Sequence, residues 1–410
     1  MLQWHMAAPL TPVPADLTGT PDGTTLSRAR LRRDTPGCDR VIHLNNAGAA
    51  LSPAVVTERM VRHLRLEGTI GGYEAAAEVA EEVAHGRDLA ADLLGARSDQ
   101  VAFVESATAG LHRVLSTLRL KRGDRVLVAG AEYANTVLPL LQLSHRIGIR
   151  LEIIPDDSSG VTDPQAVARM LDSDVRLVCA VHVPSHNGLV NDVAAIGRQV
   201  AGSRAWYLVD ACQSVGQIPV DMRASGADFL IASGRKYLRG PRGSGLLAVS
   251  DRALSEVDAY PVDIAGATWV GPEDYVLDPS ARRFESFESS VAVVLGLITA
   301  IRYATDLGLP AIAHSIGRNA EYLRSHLATV RPWRVGDRGV QRSGIVTASH
   351  PRVGAGEAVD ALGRAGINAW EVGRHTNPRD LADSSVLRLS PHAYNTRSEM
   401  DRALQVLSDL

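Results

Sequence analysis

Trp206-Tyr207-Leu208-Val209-Asp210-Ala211-Cys212-Gln213, followed by Phe229-Leu230-Ile231-Ala232-Ser233-Gly234-Arg235-Lys236, decides how this chain is read. Each stretch opens with a continuous apolar run. The first run ends on an acid, and the second leads through a Ser-Gly-Arg turn to a lysine. Unbroken apolar runs of this length fit strands buried on both faces. Similar runs lie at 101–104, 125–129, 150–154, 175–183 and 246–249, separated by amphipathic stretches. That alternation predicts an α/β fold on a mainly parallel sheet. The link between 229–232 and 246–249 is short and rich in Gly and Pro, so one of these two strands has room to run antiparallel. Residues 53–95 read as helical with an interruption at 68–72, and 291–306 as one long helix. The pattern divides into a large domain at 39–290 and a smaller α/β domain at 291–410, joined by some N-terminal residues. Residues 1–38, rich in Pro, Thr, Gly and Arg, read as a loosely ordered arm.

Composition narrows the function classes. The 410 residues are enough for more than one domain and a large core. Lys and Arg number 43 against 46 Asp and Glu, a net charge of -3, so nothing points to a nucleic-acid partner. No apolar run reaches the ~18 residues of a membrane span. The N-terminal apolar patch is broken by Pro9, Pro12 and Pro14 and lacks the order of a signal peptide, which makes a cytoplasmic location the expectation. Cys38, Cys179 and Cys212 have no metal-ligand spacing; Cys179 and Cys212 lie in strand-like runs and read as buried thiols. No metal is expected.

The acid and the lysine suit one cofactor, pyridoxal 5'-phosphate. Lys236 would hold its aldehyde as an imine, and Asp210 would keep its pyridine nitrogen protonated. A lone lysine after a strand is most often a surface residue, but the paired acid reverses that reading. An amine that forms imines and moves protons needs a tunable pKa, which burial near cations supplies. Gln213 is a candidate hydrogen-bond partner for the cofactor's phenolic oxygen. Glu105-Ser106-Ala107-Thr108-Ala109-Gly110 lies between a strand and an apolar-faced helix. The helix start at Ala107 and Thr108, with Ser233 and Arg235, forms a candidate phosphate cup; taken alone, such residues also serve as plain N-caps.

These residues carry a resemblance. The chain resembles the class V aminotransferase family of fold-type I pyridoxal phosphate enzymes, a group that includes cysteine desulfurases, isopenicillin N epimerase and several C–S lyases. The resemblance runs from about Leu44 to the C-terminus. It includes Leu44-Asn45-Asn46-Ala47-Gly48, Ala131-Glu132-Tyr133-Ala134-Asn135, His182-Val183-Pro184-Ser185-His186, the two stretches above, and Arg388-Leu389-Ser390-Pro391-His392-Ala393-Tyr394-Asn395-Thr396. It implies that Tyr133 stacks on the pyridine ring. It places Ser185 or His186 at the cofactor oxygen or substrate, Asn46 with the substrate, and Arg388 on the substrate α-carboxylate, for which a planar bidentate donor suits. It also implies a homodimer acting on a small amino acid.

Departures from the desulfurase pattern sharpen the expectation. Desulfurases carry a nucleophilic cysteine on a loop before the carboxylate arginine, where this chain reads Gly373-Arg374-His375-Thr376-Asn377-Pro378-Arg379. They carry Gly-Thr where this chain has Phe287-Glu288; Glu288 is therefore a candidate contact for a cationic part of the substrate. Gly71-Gly72-Tyr73, with Glu288 and Ser185-His186, resembles the C–S lyase of ergothioneine biosynthesis and related enzymes of lincosamide antibiotic assembly. The implied reaction is β-elimination from a cysteine S-conjugate or sulfoxide, with Lys236 as base and Tyr73 or His186 assisting the leaving group. Decarboxylation-coupled deamination, epimerisation and transamination share its first steps, and a non-catalytic relative of the fold is the alternative from another class.

Overall fold

The computed structural model describes residues 26–381 and 385–410. Seven strands form the central sheet: β1 (Val101–Val104), β2 (Arg125–Ala129), β3 (Arg150–Ile154), β4 (Val175–Val181), β5 (Trp206–Asp210), β6 (Phe229–Ser233) and β7 (Gly245–Val249). Their spatial order is β1-β7-β6-β5-β4-β2-β3. All neighbours are parallel except β7, which runs antiparallel to both β6 and β1. The short link after β6 is the reason: it is too brief for the crossover that a parallel neighbour needs. Helices cover both faces, and two apolar clusters fill the space above and below the sheet. A hairpin of β8 (Ala267–Gly271) and β9 (Asp274–Leu277) projects Trp269, Val270, Tyr275 and Val276 outward.

A second sheet holds β10 (Arg334–Val335), β11 (Val346–Ser349), β12 (Trp370–Val372) and β13 (Val386–Leu389) in the order β10-β11-β13-β12. It has its own apolar cluster around Trp333, Leu387 and Met400. Leu44 of the N-terminal segment belongs to that cluster, and Ile42 pairs with Ile367.

Two local readings are corrected. The helical stretch after residue 53 breaks at Gly71, between helices Ala54–Ile70 and Gly72–Glu78, and again at Val79, before helix Ala80–Leu94; the φ of 100° at Gly71 suits glycine, and Gly68 stays helical. Residues 1–25 of the expected loose arm lie outside the described residues, but 28–39 are not loose. They form a helix, Arg28–Arg33, and a 3-10 turn, Pro36–Asp39. Leu31 is 1% exposed and Arg32 pairs with Glu399 at 2.7 Å. Among the described residues no single helix is long and apolar enough to cross a membrane.

Candidate active site

In an open α/β sheet a ligand sits at the carboxyl edge, where the strand order reverses. Here that point lies between β2 and β4, and the singled-out residues gather along the same edge. Asp210 is the last residue of β5, paired with Val181 and Ile231. It is 6% exposed, and its Oδ1 accepts the Cys212 backbone N–H at 2.8 Å. Lys236 follows β6 in a turn closed by Gly240 N–H to the Gly234 carbonyl (2.8 Å) and Arg239 N–H to the Lys236 carbonyl (2.9 Å). It is 9% exposed, and its Nζ lies 5.8 Å from the centre of the Tyr133 ring. Burial lowers the basicity of this amine, and Arg235 and Arg388 add to the effect against the opposing pull of Asp210. A buried amine, a buried acid and an aromatic face thus converge, as the cofactor chemistry requires.

The phosphate end is built on helix Ala107–Thr117, whose first N–H groups have no partner within the helix. Ser106 Oγ takes the Ala109 N–H at 3.0 Å and its carbonyl takes that of Gly110, which leaves Ala107 and Thr108 for an anion. The Thr108 hydroxyl accepts from Asn135 Nδ2 at 3.0 Å. Ser233 ends β6 opposite Gly245. A Cβ on Gly245 would stand 2.8 Å from the Ala107 nitrogen and 2.9 Å from the Ala232 carbonyl oxygen. The helix start approaches the sheet closely because this position is bare. Gly245→Ala is therefore expected to push the helix start away and to weaken cofactor retention about tenfold, an overpacking cost of about 1–3 kcal/mol. Titrating the apo-protein with cofactor checks this; unchanged affinity would refute it.

Arg388 comes from β13, opposite Thr347 and Trp370. Its Nη1 donates to the Ser185 carbonyl at 3.1 Å and its Nη2 to Asn45 Oδ1 at 3.0 Å. Its buried Nε has no partner among the described residues. Burial brings its pKa down to about 10, which still leaves it charged at neutral pH.

Other singled-out residues are engaged elsewhere. Asn46 is buried, with its Nδ2 on the His43 and Ser390 carbonyls and its Oδ1 taking the Tyr394 hydroxyl; Asn45 is the residue beside Arg388. Gln213 is buried, with its Nε2 donating to the Ala47 carbonyl at 3.0 Å and its Oε1 without a partner among the described residues. Arg235 has its guanidinium against the Gly48 carbonyl. Ser185 contributes its carbonyl, to Arg388. Tyr73 is 77% exposed, with its ring 6.4 Å from that of Phe287, and Glu288 is exposed in the same region; within one chain neither joins Lys236.

His186 is buried; its Nε2 lies 2.8 Å from Asp380, and its Nδ1 has no partner among the described residues. Asp380 also takes Asn187 at 3.0 Å and Arg338 at 2.8 Å. Burial alone would raise this carboxyl, but His186 and Arg338 outweigh it and hold it at about 2. A depressed carboxyl stabilises the fold above its ordinary 3.8, and that contribution is lost as pH falls towards about 2. Asp380→Asn is expected to lower the urea midpoint near neutral pH, with the gap from wild type closing as pH drops to 3. A gap that stayed constant with pH would refute this. Asp380 and Asn45 were missed from sequence. Asp380 acts across 194 residues with no local signal, and adjacent Asn45 and Asn46 look alike until their facing is known.

Comparisons with known proteins identify the family and the fold. Residues 42–403 match the family model described as Aminotransferase class-V. A probable cysteine desulfurase of Methanothermobacter thermautotrophicus is 30% identical over 305 residues, covering 73% of this chain and 76% of the relative. One from Pyrococcus abyssi is 28% identical over 391 residues, covering 93% and 96%. The apo structure of a cysteine desulfurase from Thermococcus onnurineus NA1 superposes with a TM-score of 0.86 at 24% identity, covering 93% of this chain and 97% of that one. The cystine C–S lyase C-DES, solved with its product cysteine persulfide, gives 0.84 at 21%, covering 92% and 99%. At these identities the structures speak for the fold.

Proposed function

This chain belongs to the aminotransferase class-V family and is a pyridoxal-phosphate-dependent enzyme, and on that premise we propose that it cleaves the C–S bond of a cysteine S-conjugate or sulfoxide by β-elimination. One observation carries the reading: Lys236, Asp210 and Arg388 are in place while no thiol is available to take the sulfur. Loop 373–381 has no cysteine, and Cys38, Cys179 and Cys212 are all buried. Burial raises the pKa of each, Cys212 to about 12, so each stays a thiol instead of the reactive thiolate. The curated relatives named probable cysteine desulfurases support a sulfur amino acid as substrate.

When bound, the cofactor supplies an electron-withdrawing ring conjugated with the substrate's α-carbon. Arg388 binds the α-carboxylate through its guanidinium fork. Lys236, with its lowered basicity, removes the α-proton on the face it occupies. Asp210 would keep a positive charge on the ring nitrogen, and Tyr133 would cover the ring face. The Cβ–S bond then breaks with its electron pair on sulfur. With one water consumed, the products are a thiol (a sulfenate from a sulfoxide), pyruvate and ammonium. The same reading expects a homodimer: exposed Trp269, Val270, Tyr275, Val276 and Phe287 supply apolar surface for such a contact. Tyr73 and Glu288 would then reach the site of a second copy.

The test is to incubate cofactor-loaded protein with L-cysteine S-conjugates and sulfoxides and analyse the products. Pyruvate and thiol in equal amounts are expected. Alanine with sulfur held on the protein would mean desulfuration instead. Carbon dioxide, a keto acid that still carries the sulfur, or a racemised substrate would mean decarboxylation, transamination or epimerisation.

A further inference from the structure

Glu132 is the most enclosed carboxyl near the site, and the reaction proposed above gives it no role. It lies just beyond the end of β2, next to Tyr133, and is 1% exposed. Neither carboxylate oxygen has a hydrogen-bond partner among the described residues. Loop 373–381 closes over it: Asn377 Nδ2 donates to the carbonyls of Gly130 (2.9 Å) and Glu132 (3.1 Å), and Thr376 accepts the Ala134 N–H at 3.0 Å. A charged carboxylate left without donors at this depth is far more costly than a neutral acid.

The surrounding charges push the same way. The groups whose charge Glu132 shares space with are Asp210 and Tyr207 on β5, Cys179 on β4 and exposed Arg379 on the loop. Only Arg379 is cationic. The strand register sets both acids on the same sheet edge: β4 lies between β2 and β5, with Val128 opposite Cys179 and Val181 opposite Asp210. Burial first, and Asp210 second, push the Glu132 carboxyl up to about 8. The Val181 and Tyr133 backbone and the Thr136 hydroxyl, which lie near the carboxyl without completing a hydrogen bond, pull the other way without reversing it.

We propose that Glu132 is a positioning residue, held as a neutral carboxylic acid beside Asp210 so that the pair presents a single negative charge to the cofactor's ring nitrogen. Glutamine would give the same shape with fixed neutrality. Glutamate adds a second charge in alkaline solution, and that charge strengthens the hold on protons at the ring and at Lys236. The inference rests on the cofactor assignment but not on which bond of the substrate breaks.

The test is Glu132→Gln in the cofactor-loaded protein, read without turnover. In wild type, pH-difference infrared spectra are expected to show a protonated-carboxyl C=O band that disappears as pH passes about 8, and the variant is expected to lack it. The midpoint at which the cofactor's long-wavelength absorbance is lost is expected to fall by about one pH unit in the variant, a tenfold loss in proton affinity. Cofactor affinity at pH 7 should not change. If Glu132→Gln fails to fold, Glu132→Met supplies the same comparison. The proposal is overturned if wild type has no such band, or if the absorbance titrations superimpose. Absence of pyruvate with these two signals intact would sink the lyase reading and leave this one standing.

Discussion

Lys236→Ala is expected to abolish turnover, by at least about ten-thousandfold. Its amine is the group that can both hold the cofactor's carbonyl and take the α-proton, and its basicity is lowered by burial and by Arg235 and Arg388. Nothing else in the chain can replace it. The sequence has only two lysines, and the other, Lys121, is exposed in the turn before β2. The variant should also lose the absorbance of lysine-bound cofactor while keeping some cofactor through the cup at Ala107 and Thr108. Added small amines should restore part of the rate, because they supply the missing base without the missing tether. Full activity in Lys236→Ala would remove the mechanism altogether.

Asp210→Asn is expected to lower kcat by about a thousandfold, because the charge that keeps the ring nitrogen protonated is lost in a site of low dielectric. The fold should survive. An amide oxygen can still accept the Cys212 N–H that Oδ1 now takes at 2.8 Å. The rate should therefore fall without a matching fall in melting temperature. Asp210→Glu, which keeps the charge, should recover more of the rate than Asn. If Asn and wild type turned over alike, the acid would be a structural residue and the ring would take its proton from elsewhere.

Much of the fold was legible because buried parallel strands leave a local mark. The seven apolar runs became the seven strands of the central sheet, and the short link after β6 marked the one antiparallel strand. The break near residue 70 was legible too, but only the backbone singled out Gly71 over Gly68. Residues 28–39 read as loose from composition, yet Leu31 reaches the core and Arg32 reaches Glu399. Composition cannot see such distant partners. Of the candidate site residues, Lys236, Asp210, Tyr133, Ala107 and Thr108 were legible as candidates because each lies at or just beyond the end of a strand or helix. Gln213, Arg235, His186 and Asn46 were assigned by motif, and the structure engages each of them with the protein itself.

The amino-acid sequence alone determined the sheet, its carboxyl edge, and the acid and lysine placed on that edge, because a run of apolar residues ending in a polar one specifies both a buried strand and where its last side chain emerges. Tertiary structure decided which asparagine faces Arg388, that His186 is tied to Asp380, and that Glu132 is sealed beside Asp210. Those outcomes depend on charge, burial and donors contributed by segments far apart in the chain, and no local pattern encodes such a meeting.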